Sequence, residues 1–443
     1  MAGLGHGELS RMPGRLNSFQ RTMLQWNDLH PYNAVHVLRL PLAVDVRRVQ
    51  KAIEQTVVRH GLTRLQLDRA AGTYDYGGGP TDCPLKLVPF DTDPEAALAD
   101  EVTRQLNTPF DLTGRFLPFR FFLLAAPDGS ALGVAYFHAM AGAESLVLLL
   151  RDMAQGCDLA AERGLWPPVE LHPPAHRDWL RRHPGVLLKK LLSLPSVWRE
   201  LRRACVPKYR EVQVMSNGFT AFALPAETLR RLTAASKTWG VTLNDLFLAG
   251  LMQALTPLAE TRRQKSRRRR LALGCIVNTR SHLGVDSRRT FGLFLGSFLV
   301  SHEAPAGISL QALATDLQRQ TARIKRDRLF MATPVDLALA RAYLALTSPG
   351  QRKKFYLKRY PLWGGVTNMN LNPLWPQPAG TPAVDYFRAV STGPVTPLVL
   401  SLTTVGEVVN IGLTYRTSVF TAGEIERVKT GFLSAVEAAG EPR

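Results

Sequence analysis

The segment Tyr136-Phe137-His138-Ala139-Met140-Ala141-Gly142-Ala143-Glu144-Ser145 joins two apolar runs of different periodicity. Before it, ALGVAYFHA (131–139) reads as a strand; after it, ESLVLLLRDMA (144–154) reads as a buried helix. LPFRFFLLAA (117–126) is a second strand, and Pro127-Asp128-Gly129 between the two reads as a hairpin turn. His138 therefore sits where a strand ends and a loop begins.

Outward from this point the chain alternates strand-like and helix-like patterns. NAVHVLRLPL (33–42) reads as a strand and DVRRVQKAIEQTVVRHG (45–61) as a helix with Val46, Val49, Ile53 and Val57 along one face. Asp45 can cap its start and Gly61 its end. In the second half, Thr242 and Asp245 open the apolar helix LNDLFLAGLMQAL, and LALGCIV, PLVLSLTTV and EVVNIGLTYR read as strands. Thr421 and Glu424 open a last helix with Ile425, Val428, Phe432 and Val436 on its apolar face, ending at Gly440. Prolines and basic residues cluster between 160 and 215. The 443 residues, 45% of them hydrophobic, are too many for one ordinary core. The expectation is an α/β protein of two lobes, 1–165 and 213–443, joined by a basic, proline-rich bridge at 166–212, with no short-period repeat.

Lys plus Arg total 55 against 36 Asp plus Glu, a net charge of +19 that points to an anionic partner. Four widely spaced cysteines (Cys83, Cys157, Cys205, Cys275) suggest neither a disulfide framework nor a metal knuckle and fit a reducing compartment. The N-terminus lacks a signal-peptide core, and no uninterrupted apolar stretch reaches about 18 residues, so a cytoplasmic protein is expected. His172 and His176 flank Pro173 and Pro174 and cannot share a helix face, and the other histidines outside the loop lack clustered partners. No metal is implied.

The positive charge concentrates in two blocks. Between Arg177 and Arg210, ten basic residues face only Asp178 and Glu200 and interleave with leucines, Trp179 and Trp198, the composition of an interfacial segment. Pro184 and Pro195 are expected to break it into short helices. The second block, Arg262 to Arg270, is expected to be an exposed loop. Lipid headgroups, an acidic carrier protein and coenzyme A phosphates could each meet such charge, as could bulk solvent. Nucleic acid is disfavoured because no reading motif accompanies the blocks. Peripheral contact of 177–210 with an anionic membrane is the reading adopted, which suits a hydrophobic donor or a lipid-like acceptor.

Five segments carry a family resemblance. The loop 136–145 resembles the HHxxxDG active-site loop of the chloramphenicol acetyltransferase-like superfamily, which includes nonribosomal peptide condensation domains; Phe137 replaces the first His, Gly142 the Asp and Ala143 the Gly. Ser18 to Trp26 resembles the SxAQxRxW opening motif of condensation domains, Arg59 to Leu65 their RHExLRT, Gly274 to His282 their GxPxxxRxH, and Thr290 to Gly296 an FGNxxG-type stretch. They run in the family's order.

The resemblance implies two chloramphenicol acetyltransferase-like lobes forming a V-shaped pseudo-dimer with a tunnel between them. An acyl thioester on a phosphopantetheine arm, from acyl-CoA or an acidic acyl or peptidyl carrier protein, enters from one side and a hydroxyl or amine acceptor from the other. No tightly bound cofactor is implied, and the thioester is a co-substrate. His138 is then the general base. Arg280 matches an arginine that relatives pair with the loop Asp, so Gly142 leaves it needing another counter-ion, for which Glu144 is the nearest candidate by sequence. Phe137, Asn368 and Asn370 are candidates for the tunnel wall and substrate contact. Two readings of the loop stay open: a surviving base on a rewired scaffold, or a catalytically degenerate fold that binds or recruits acyl, carrier or membrane partners.

Overall fold

The computed structural model describes residues 13–90, 92–126, 129–157, 167–171, 176–261, 267–348, 355–356, 359–376 and 385–440. The first half contains β1 (Gly14–Arg15), α1 (Ser18–Asn27), β2 (Asn33–Leu40), α2 (Val46–Arg59), β3 (Leu65–Asp68), β4 (Thr73–Tyr76), β5 (Leu85–Leu87), α3 (Pro94–Asn107), β6 (Phe119–Ala126), β7 (Gly129–Phe137) and α4 (Ala143–Gly156). Two helices, α5 (His176–Arg182) and α6 (Pro184–Arg203), lead into the second half. There follow β8 (Asn217–Leu224), α7 (Ala226–Trp239), α8 (Leu243–Thr261), β9 (Leu271–Asn278), α9 (Arg280–Leu283), β10 (Leu295–His302), α10 (Leu310–Arg326), α11 (Thr333–Ala345), β11 (Gly364–Asn370), β12 (Asp385–Val390), β13 (Leu398–Val405), β14 (Val408–Arg416) and α12 (Ala422–Glu437).

The result is the expected pair of α/β lobes. In the first, a five-stranded sheet runs β12-β2-β7-β6-β5. Its interior strand β2 is buried at nearly every position because both faces are covered. Ala34 and Leu38 join the core with Val49 and Ile53 of α2 and Leu146 and Leu150 of α4, whereas Val35 and Val37 pack with Leu98, Val102 and Leu106 of α3. Asp45 caps α2 through the amides of Arg47 and Arg48, and Gly61 follows the helix at φ +67°, where glycine is favoured. Asp152 of α4 is buried between Arg59 and His60 of the Arg59–Leu65 motif, with His60 Nε2 at 2.7 Å. That motif therefore ties α2 to the helix that carries the loop.

The second lobe's six-stranded sheet runs β10-β9-β11-β13-β14-β8. Helix α8 is apolar nearly all round because it is buried, and Thr242 and Asp245 cap it reciprocally. Thr421 and Glu424 form the capping box of α12, whose Ile425, Val428, Phe432 and Val436 are all buried.

The sheets are linked by a strand that crosses over. β12 lies in the second half of the sequence, yet pairs antiparallel with β2 in the first lobe's sheet, with Arg388 opposite His36. It passes so close to β14 that a Cβ on Gly412 would lie 1.9 Å from the Arg388 carbonyl oxygen. Only glycine fits there.

One local expectation is corrected. Pro184 opens α6, but Pro195 does not break it, and the helix runs 20 residues to Arg203. Pro195 and Leu191, whose carbonyl loses its partner, both face solvent, so water can take over that hydrogen bond. Lys190 is anchored to Asp336 at 2.6 Å, and Lys189 to Asp327 at 2.7 Å. Of the second basic block, Arg262 to Ser266 lie outside the described residues, as do the turn at 127–128 and His172. Arg270 is held by Glu200 at 2.7 Å. No described helix is long and apolar enough to cross a membrane.

Candidate functional site

β7 ends at Phe137, and the chain turns through Met140, whose amide donates to the Phe137 carbonyl. The turn places His138 Nδ1 3.1 Å from the Ala141 carbonyl oxygen. A carbonyl only accepts, so Nδ1 carries the proton and Nε2 keeps its lone pair. The ring lies against Tyr32 with centroids 5.5 Å apart and planes at 25°, and against the edge of Tyr136. Burial pushes the His138 pKa down to about 4, partly opposed by the Ala141 carbonyl and reinforced by the charge of Arg388. The imidazole is therefore neutral at pH 7.

This has a consequence for stability. An unfolded histidine titrates near 6.5, so as pH falls from 6.5 towards 4 the unfolded chain binds a proton that the folded ring refuses. Stability falls over that window, by about 3 kcal/mol at pH 4 from His138 alone. Buried His36, whose pKa is also depressed, acts in the same direction. Urea midpoints measured from pH 7 to 4 should show this decline, and His138→Gln should flatten part of it; an unchanged slope would contradict the buried neutral ring.

His138 lines a cavity of about 200 Å³ between the lobes. Phe19, Met23 and Trp26 wall it from the first lobe, Cys275 and Val399 from the second, and Leu337 from α11. A second cavity of about 160 Å³ is polar, with Glu144, Asn278, Arg280, Asn368 and Asn370 on its wall. The two adjoin, sharing Ala143, Ile276, Leu295, Thr367 and Arg388. A third, of about 240 Å³, lies beneath α6; on its wall Lys190 is paired with Asp336, Glu200 is paired with Arg270 from outside it, and Arg323 is the remaining charged residue.

Behind the His138 loop the lobes are clamped. Arg280 is buried and donates from Nη1 to the Thr290 carbonyl (2.8 Å) and from Nη2 to Ser145 Oγ (2.7 Å), while its Nε lies 3.3 Å from Glu144 Oε2. Its guanidinium also covers the Phe294 ring. Glu144 is held in turn by Ser287 Oγ at 2.6 Å. The Gly142 amide donates to the Gly292 carbonyl at 3.0 Å, and Ser145 Oγ both receives the Gly292 amide and donates to its carbonyl. Glu144, at N2 of α4, thus supplies the negative charge that the glycine at position 142 does not.

Of the sequence candidates, His138, Gly142, Glu144, Arg280, Asn368 and Asn370 come together around the two cavities. Phe137 does not: it packs against Phe110 and Phe116 in the first lobe's core and lines neither cavity, because successive side chains at a strand end point to opposite faces. Sequence reading missed Tyr32, His36, Ser145 and Arg388. For Arg388 a signal existed: an arginine in the middle of the apolar strand Tyr386-Phe387-Arg388-Ala389-Val390.

The chain matches the condensation-domain family over residues 15–441. No curated protein matches it significantly. Its fold is similar to that of the first condensation domain of the calcium-dependent antibiotic synthetase in complex with a substrate analogue (TM-score 0.70, 15% identity, covering 97% of this chain and 96% of that one). It is also similar to the EpoB cyclization-docking bidomain from Sorangium cellulosum (TM-score 0.69, 14% identity, 98% and 86%). A third likeness is to the X-domain complexed with OxyB from teicoplanin biosynthesis (TM-score 0.60, 18% identity, 99% and 94%). With a match that spans the cavities, the clamp and both lobes, the chain belongs to the condensation-domain family.

Proposed function

We propose that this protein is an acyltransferase that joins an acyl group from a phosphopantetheine thioester to a hydroxyl or amine, with His138 as general base. The observation that carries this reading is a neutral imidazole, its Nδ1 proton held by the Ala141 carbonyl, on the wall of an inter-lobe cavity that adjoins a second, polar one. In the step, Nε2 accepts the acceptor's proton as its oxygen or nitrogen forms a bond to the thioester carbonyl carbon. The carbon–sulfur bond then breaks, and the proton passes to the departing thiolate. The test is transfer from acyl-CoA and from acyl carrier protein to small amines and alcohols, by wild type and His138→Gln. A non-catalytic role is the second reading, favoured by the altered loop residues Phe137 and Gly142 and by the likeness to an X-domain that forms a complex with another protein.

The outer surface supports peripheral membrane contact. Leu188, Leu191, Leu192 and Trp198 on α6 and Leu339 and Leu346 near α11 are all more than half exposed, among Lys189, Arg199 and Arg202. The other face of α11, through Leu337 and Ala340, lines the His138 cavity, so a lipid-like substrate would have a short route inward. The protein should cosediment with vesicles of anionic phospholipid, lose binding in high salt, and lose it in Leu191→Glu/Leu192→Glu. Equal recovery in the supernatant with anionic and neutral vesicles would refute this.

A further inference from the structure

Arg388 is only 2% exposed, yet among the described residues no carboxylate lies within ion-pairing distance of it. Its Nε donates to Thr403 Oγ1 (2.9 Å), and its Nη2 to the carbonyls of Leu402 (2.6 Å) and Thr367 (3.2 Å). Those acceptors are all neutral. Nη1 has no partner among the described residues and is not sealed off by its neighbours. The residue lines both cavities, at their junction.

The other buried arginines near the seam differ. Arg280 has Glu144 as its counter-ion. Among the described residues Arg416 has no carboxylate partner either, but it lies beneath the Tyr209 ring and borders neither cavity. Glu144, whose charge reaches Arg388 across the second cavity, is engaged by Arg280 and Ser287. Burying a guanidinium without a counter-charge in contact is costly, and the charge of Arg388 also depresses its neighbours His36 and His138. A buried cation with one free donor edge, opening on a largely apolar cavity, is matched by an amphiphile bearing an anion.

We infer that Arg388 is the recognition group for a carboxylate on the substrate, and that the acyl acceptor is accordingly a hydroxy acid or amino acid with a free carboxylate and an apolar body. Naming the acceptor rests on the acyl-transfer reading; the carboxylate site itself does not. The carboxylate takes the free Nη1 edge, which leaves the acceptor's hydroxyl or amine to His138. Arg388 is then a specificity determinant.

Octanoate and its uncharged counterpart octanamide serve as probes, with binding to the full chain followed by calorimetry. Wild type should bind octanoate at least about tenfold more tightly than octanamide, Arg388→Met should bind both alike, and Arg388→Lys should keep part of the preference. His138→Gln should keep the whole preference, so failure of acyl transfer and failure of this site are read separately. Equal binding of the two probes by wild type, no binding of either, or a preference that survives in Arg388→Met would each overturn the inference. Should Arg388→Met not fold, the wild-type ratio decides alone.

Discussion

His138→Gln lowers acyl transfer by about 10²–10⁴-fold, the usual contribution of a positioned general base. Glutamine can still donate to the Ala141 carbonyl and fills similar space, so the loop keeps its shape while the proton acceptor is lost. The pH profile supplies an independent check. Because the free ring titrates near 4 rather than 6.5, kcat/KM should be level through neutrality down to about pH 5 and fall to half near pH 4. A break near 6.5 would mean the ring is solvated, full turnover in His138→Gln would remove His138 as the base, and no turnover by wild type would leave only the recruitment reading. Burial keeps the imidazole neutral but also makes it a weak base. A substrate carboxylate on Arg388 would cancel one of the charges that depress it, so kcat should report a higher pKa than kcat/KM.

What the sequence disclosed and what it hid divide along physical lines. Signals confined to a few residues were readable: Asp45 and Thr421 announce helix starts, and the apolar faces of α2 and α12 follow the helical period. The His138 loop was recognisable because strand, loop and helix are contiguous. Arg280 could be placed at the site only through the family pattern, and its pairing with Glu144 links two lobes across 136 positions. The crossing of β12 was not legible at all, since pairing with β2 joins residues about 350 apart and leaves no periodic trace. The placement of Arg388 at the cavities and the Tyr32 stack on His138 depend on such crossings or on tertiary packing alone. The error at Pro195 has a different origin: local propensity argued for a break, and solvent beside an exposed helix face removed most of its cost.

The rewired counter-ion makes the second large prediction. Glu144→Gln leaves Arg280 buried without a carboxylate and should destabilise the fold by about 3 kcal/mol, the low end for breaking a buried pair because the Glu144 carboxylate is one-fifth exposed. Three acceptors, the Thr290 and Gly292 carbonyls and Ser145 Oγ, remain, but none carries charge. Gly142 has φ −91° and ψ 170°, which any residue can adopt, and a Cβ there would come no closer than 3.6 Å to the Gly292 oxygen. An aspartate at this position can cap α4 and turn its charge to Arg280. Gly142→Asp alone should be nearly neutral, since Arg280 is already paired, whereas Gly142→Asp in the Glu144→Gln background should recover at least about half of the loss. Urea denaturation of the four proteins closes the double-mutant cycle, with an expected coupling of about 1.5–3 kcal/mol. If the two changes merely add, Glu144 is not the counter-ion of Arg280. If they couple while His138-dependent turnover is retained, the loop's carboxylate acts as a clamp between the lobes that works from either position, and its absence from 142 says nothing against the base.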